Sequence, residues 1–206
     1  MNVTLLTRTG SIQDMENFAV KAALTCHANT DKQVNNQEFL TKIIKVGHEN
    51  ILEHIYLTYS IKGISRALLQ ELGRHRHLTL SVESTRHTLK KMLPQDEFYD
   101  IEDVERIANM IDNGKAYEEC ISDFIDFALA HPDMPNDELK YFLPEFWPTN
   151  LILTSNIREL RHILNLRTAP QALKEFRNLA HELFNVVPEQ FKYLLQDCVH
   201  QEANNG

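Results

Sequence analysis

Cysteine is scarce and scattered: Cys26, Cys120 and Cys198 are an odd number spread over 206 residues. They form no CxxC pair and no disulfide framework, which points to a reducing compartment, the cytoplasm. An excess of basic residues is also missing, since 21 Lys and Arg stand against 29 Asp and Glu, a formal net charge of -8. That balance argues against a surface that coats nucleic acid, which needs a basic face with interleaved aromatics. No apolar run approaches the roughly 20 residues of a membrane-spanning helix. Met1-Asn2-Val3-Thr4 does not open a basic-then-apolar leader, so no signal peptide is expected. Glycine-built nucleotide loops are absent: there is no GxGxxG, no Walker loop and no strand-Gly-x-Ser-x-Gly elbow. With no nucleophile assembly either, a nucleotide or flavin site, if the chain has one, must be held by arginines rather than by a glycine loop.

What is present is ordinary in amount and uneven in placement. Hydrophobic content of 43% and charged content of 24% fit a soluble globular chain long enough to bury its own core. The length suits a single domain over 1–206, and no internal repeat divides it. Val3, Leu5 and Thr7 alternate as a short strand broken at Gly10-Ser11. Residues 14–26 and the run Phe39, Leu40, Ile43, Ile44 have helical spacing, the second stopped at Gly47. Ile55, Leu57, Tyr59 and Ile61 alternate as the clearest strand, and Gly63 is expected to turn it into a helix carrying Ile64, Leu68, Leu69 and Leu72. Past Pro94, one helix carries Ile101, Val104, Ile107 and Ile111 and ends at Asn113-Gly114. A second carries Tyr117, Ile121, Phe124 and Ala128. Leu151 to Thr154 reads as a buried strand.

Asn156 is placed to cap the next helix, with Glu159 in capping-box spacing. Ile157, Leu160, Ile163 and Leu164 form its core face, and Arg158, His162 and Asn165 its polar face. A strongly amphipathic helix from Ala172 to Val187 follows, then a last one with Phe191, Leu194 and Leu195. The tail, 201–206, is expected to fray.

The uneven feature is Arg74-His75-Arg76-His77-Leu78-Thr79-Leu80-Ser81-Val82-Glu83-Ser84-Thr85-Arg86-His87. Three arginines and three histidines gather there in an acidic chain, at the end of a helix and in the segment after it. Guanidinium groups are planar donor forks matched to phosphate and carboxylate, so the stretch reads as an anion site. Three plainer readings stand beside it. The cluster could be a solvated helix end paired to Glu71 and Glu83. His75 and His77 could share a metal, although no zinc-spaced partner accompanies them and three arginines repel a cation. His54, beside Glu53 and His48, could be hydrogen-bonded structure rather than a ligand contact.

Arg74-His75-Arg76, seven residues, then Ser84 and Arg86 resembles the RHR-x7-S signature of the flavin-dependent thymidylate synthases. His54, Glu71, Lys140 ahead of Leu143-Pro144, and Asn156-x-Arg158 through Leu166-Arg167 fall in that family's order, from about Gly47 to Arg177. The resemblance implies an α+β fold with a curved antiparallel sheet flanked by helical bundles. It implies a homotetramer with shared active sites and the reductive methylation of dUMP to dTMP. Methylenetetrahydrofolate would donate the carbon, and FAD reduced by NADPH would supply the hydride. An alternative is a non-catalytic nucleotide- or phosphate-binding module using the same arginines.

By the same resemblance, His54, Arg74, His75, Arg76, Asn156, Arg158 and His162 bind FAD. Glu71, Arg74, Ser84, Arg86, Lys140 and Arg167 bind dUMP. Arg86 and Lys140 suit the nucleotide phosphate, and Arg167 suits the uracil carbonyl where charge develops. Ser84 and Arg167 are the implied catalytic residues, Ser84 orienting substrate rather than attacking it. No metal is implied. The chain departs from the family at Ser81-Val82, where Asn-Glu is common, at His87, where tyrosine is frequent, and at His162, where asparagine is. Glu83 could stand in for the missing carboxylate, but on an extended segment it faces away from position 82.

Overall fold

The computed structural model describes residues 1–26, 28, 29, 31–95 and 98–200; the tail expected to fray lies outside them. In chain order the strands are β1 (Asn2–Arg8), β2 (Tyr56–Ser65), β3 (Leu78–Val82) and β4 (Pro148–Asn156). The helices are α1 (Ile12–Cys26), α2 (Asn36–Lys45), α3 (Arg66–Leu72), α4 (Thr85–Met92), α5 (Ile101–Ala108), α6 (Glu118–Ala130), α7 (Asn136–Leu139), α8 (Ile157–Arg167) and α9 (Lys174–Asn185). The strands make one antiparallel sheet in the order β1-β2-β4-β3. With helices between the strands, this is the expected α+β class.

The chain forms two compact units. The first comprises Met1–Asn2, Ile61–Arg74 and Ser81–Leu151; the second comprises Val3–Ser60, His75–Leu80 and the chain from Ile152 on.

In the first unit Leu89, Val104, Ile107, Ile121, Ile125, Leu139 and Trp147 are buried together, with the Phe124 ring edge-on to Trp147 at 5.0 Å. This is the apolar face that the spacing of α5 and α6 anticipates. Gly114 is required behind it: a Cβ there would meet the Ala108 carbonyl oxygen at 1.8 Å.

In the second unit Met15, Ala19 and Leu40 from α1 and α2 are fully buried, as are Ile55, Leu57 and Tyr59 on one face of β2. From α8 and α9, Ile157, Leu160, Ile163, Leu164, Phe176, Leu179 and Leu183 are buried too. Ile157 donates its backbone N–H to the Ile55 carbonyl, tying the start of α8 to the end of the turn before β2. The Thr58 and Thr154 hydroxyls pair at 3.0 Å across β2 and β4, which fixes the register there.

Several elements differ from the sequence expectation. Gly63 does not end β2; it sits within the strand at φ +71, and the strand runs on to Ser65. The backbone has no room for a side chain, since a Cβ on Gly63 would lie 2.1 Å from the Met110 carbonyl oxygen. Ser65 then caps α3 by accepting the Leu68 N–H. Within the Arg/His stretch Leu78–Val82 form a strand, β3, and α4 begins at Thr85. The last expected helix is two short 3-10 turns, Glu189–Leu194 and Gln196–Cys198.

Candidate active site

In the second unit β4 passes into α8 without a loop. Asn156 stops the strand and starts the helix, its Oδ1 accepting the Glu159 N–H at 2.8 Å. The polar face of α8 lines a cavity of about 690 Å³, within the range of small-molecule sites. Asn156, Arg158, His162 and Asn165 contribute from the helix, His77 from the Arg/His stretch, and Glu49, Glu53, Asp197 and Cys198 complete much of the wall. The predicted residues Asn156, Arg158 and His162 are thus brought together. His54 ends the 3-10 turn Glu49–His54 and is exposed. Arg76 is exposed as well, and neither lines the cavity.

Arg74, Arg76 and Arg86 do not line this cavity, and the arginines that do are paired. Arg158 is ion-paired to Glu53. Arg161, 4% exposed, reaches Glu49 Oε1 with its Nε at 3.1 Å. Its two terminal nitrogens meet the Asp197 carboxylate at 2.6 and 2.7 Å, and it also donates to the Leu194 carbonyl. That bidentate fork holds the Asp197 carboxyl below the usual carboxylate range, while burial pushes the Cys198 thiol up to about 11. A protonated thiol at neutral pH is no nucleophile. Cys26 and Cys120 are exposed.

His75 is the buried member of the RHR triplet, 7% exposed. Its Nδ1 lies 2.9 Å from Glu159 Oε1, and its Nε2 accepts the Arg167 Nε–H at 3.2 Å. Its ring meets Phe176 and His162 edge-on at 5.7 and 5.6 Å, and the Arg167 guanidinium lies 4.5 Å from the Phe176 ring centre. Burial first, and the facing Arg167, pull the His75 pKa below its ordinary value despite the Glu159 hydrogen bond. His75, Glu159 and His162 offer ligand atoms within 4.8 Å of one another. Both ring nitrogens of His75 are already engaged, however, and a guanidinium points at one of them, so the trio is poorly suited to a cation.

The first unit carries Glu71, Arg74, Ser84, Arg86 and Lys140. Arg74, past the end of α3, lies 3.4 Å from Glu71 Oε1 with its side chain 74% exposed. Ser84 is the N-cap residue of α4 without using its hydroxyl as a cap. Arg86 Nε meets Asp137 Oδ1 at 2.6 Å, and Asn136 Nδ2 donates to the Arg86 carbonyl at 2.8 Å. Lys140 follows α7 and lies 5.5 Å from the Tyr141 ring centre. At the position in question, Val82 is exposed and Glu83 accepts the Asn150 amide at 2.6 Å, so Glu83 already serves the local structure.

Sequence reasoning missed Glu49, Glu53, Arg161 and Asp197, and saw Glu159 only as part of a cap. Their partners lie from 33 to 112 residues away. No local pattern announces such pairs.

Fold and site together define an α+β protein with a polar cavity beside a row made of a buried carboxylate, a buried imidazole and a half-buried guanidinium. Residues 4–191 match the family described as thymidylate synthase complementing protein. The chain is 38% identical over 161 residues to the flavin-dependent thymidylate synthase of Campylobacter jejuni (strain RM1221), covering 77% of this chain and 78% of that protein. It is 35% identical over 218 residues to the Wolinella succinogenes enzyme of the same name, covering 98% and 100%. A crystal structure of thymidylate synthase X from Helicobacter pylori with FAD and dUMP superposes with a TM-score of 0.84 at 30% identity, over 98% of this chain and 100% of that one. The chain belongs to the flavin-dependent thymidylate synthase family. Among the described residues no helix is long and apolar enough to cross a membrane.

Proposed function

We propose that this protein makes dTMP from dUMP, taking the carbon from methylenetetrahydrofolate and the reducing equivalents from NADPH through FAD. One observation carries the reading: the likeness, over nearly the whole chain, to a structure that holds FAD and dUMP. The thiols support it. The cavity's cysteine is held protonated, so it is not an activated thiolate for attack on the pyrimidine, and reduced FAD when bound supplies the hydride.

The residues fit a flavin nucleotide. Asn156 keeps its Nδ2 donors for a ligand because its Oδ1 caps α8. Arg158 and His162 add donors, and Glu49, Glu53 and Asp197 offer acceptors to hydroxyl and amino groups. Exposed Arg74, Arg76 and His54 complete the proposed FAD set, together with buried His75. For dUMP, Arg86 and Lys140 take the phosphate, Glu71 and Arg74 the nucleoside, and Ser84 orients the pyrimidine. Arg167 holds the uracil carbonyl, where a fixed guanidinium stabilises developing negative charge. The proposal includes a homotetramer with active sites shared between subunits, one functional domain over 1–206, and a cytoplasmic enzyme without nucleic-acid or membrane partners.

The test is spectroscopic and then chemical. The purified protein with added FAD should show a flavin spectrum bleached by NADPH, faster with dUMP, and dTMP formation should require FAD and methylenetetrahydrofolate. Nucleotide binding without turnover would favour the non-catalytic module.

A further inference from the structure

Glu159 occupies the third position of α8, where a capping-box carboxylate folds back onto the residue that caps the helix. Asn156 performs its half of that exchange, accepting the Glu159 N–H at 2.8 Å. The Glu159 carboxylate instead meets His75 Nδ1, 84 residues away in sequence, at 2.9 Å. Both side chains are more than nine-tenths buried, at 4% and 8% exposure. Burying a carboxylate is costly unless it is hydrogen-bonded and does something the fold needs.

The next contact fixes a proton. Arginine Nε carries a hydrogen and no acceptor lone pair, so the 3.2 Å contact from Arg167 Nε requires a bare Nε2 on His75. The ring hydrogen is therefore on Nδ1 and is donated to Glu159. His75 spans two residues of α8 that are eight positions apart, about two turns, and the Phe176 ring covers the Arg167 guanidinium at 4.5 Å.

We propose that Glu159 is the positioning residue for Arg167: it holds His75 in the Nδ1–H tautomer, and the bare Nε2 of that tautomer sets the direction of the Arg167 guanidinium. The charged and titratable groups facing His75 are Glu159, His162 and Arg167, all from α8, while α9 presents the Phe176 ring. Protonation of His75 removes the acceptor and places an N–H against the guanidinium, so the row works only with neutral imidazole. The consequence for turnover rests on the dUMP reading of Arg167; the tautomer itself does not.

Two measurements separate these. Nitrogen-15 imidazole spectra of the ligand-free wild-type protein at neutral pH should show His75 as the Nδ1–H tautomer. An Nε2–H tautomer or an imidazolium overturns the proposal, whatever the enzyme does. In kinetics at saturating FAD, Glu159→Leu should lower kcat/KM for dUMP at least tenfold. Glu159→Gln keeps an acceptor for Nδ1–H and should recover most of that loss. Because the carboxylate charge that favours imidazolium is gone, its acid limb should lie at lower pH than the wild type's. A leucine variant with wild-type kcat/KM, or a glutamine variant with an unmoved acid limb, overturns the positioning role. A purely structural role would lower stability and leave the acid limb in place. If the wild-type protein forms no dTMP, the functional reading fails while the spectra still decide the tautomer.

Discussion

The two units treat charge in opposite ways. In the second, Arg161 is buried and saturated by Glu49, Asp197 and the Leu194 carbonyl, and His75 is locked between Glu159 and Arg167. In the first, Arg74 and Arg86 are exposed, with Glu71 and Asp137 as their carboxylate contacts. A buried, mutually satisfied set is preorganised and hard to alter. An exposed pair is worth about 0–1 kcal/mol and exchanges readily for a stronger anion. Of the proposed ligands, His75 belongs to the committed set, while Arg74 and Arg86 belong to the exchangeable one.

The largest expected break in this contrast is Arg161→Leu. Removing one member of a buried ion pair costs about 3–5 kcal/mol, and the lower end applies because Glu49 and Asp197 are 28% and 53% exposed. Urea unfolding that shows less than about 1 kcal/mol of loss would mean the second unit is not held by this network. Next is Arg86→Ala, expected to weaken dUMP binding about 100-fold, roughly 2.7 kcal/mol, with flavin retained. Stability should change by no more than about 0.5 kcal/mol, as for other surface substitutions. Titration calorimetry with unchanged dUMP affinity would remove Arg86 from the site; a large drop in melting temperature would remove it from the exchangeable class.

The smallest effect is in pH dependence. The His75 pKa is depressed on folding, so the unfolded chain binds the extra proton first. The contribution is fully present above the unfolded value of about 6.5 and is lost as pH falls from there toward the lowered folded value. His75→Gln should flatten the fall in stability over that window, whereas Arg86→Ala should leave it as in the wild type. Equal slopes in the wild type and His75→Gln would mean that this histidine is not the buried titrating group.

Much of this was legible in the residue order. Alternation marked β2 through Ile61, apolar spacing marked the buried face of α8, and Asn156 announced the cap that the structure contains. The RHR-x7-S spacing pointed to the family to which the chain belongs. What escaped notice was set by distant partners. Gly63 looked like a strand end, yet it is a point inside the strand where the Met110 carbonyl leaves no space for a Cβ. Leu78 to Val82 is short, exposed or half-buried, and becomes a strand through its neighbour β4. Counting charges suggested an anion site. The cavity's own arginines, Arg158 and Arg161, are instead paired to Glu53, Glu49 and Asp197, and no local pattern reveals that Glu159 and Arg161 are buried.

Cys198 turns the Arg161 clasp into something that can be timed. Its thiol is protonated to about pH 11 beside Asp197, whereas Cys26 and Cys120 are exposed. An alkylating reagent at mildly alkaline pH should therefore label Cys198 more slowly than the two outer thiols. That difference in rate reads how strongly the cavity wall holds the Cys198 proton, and ligands that bury the wall further will widen it.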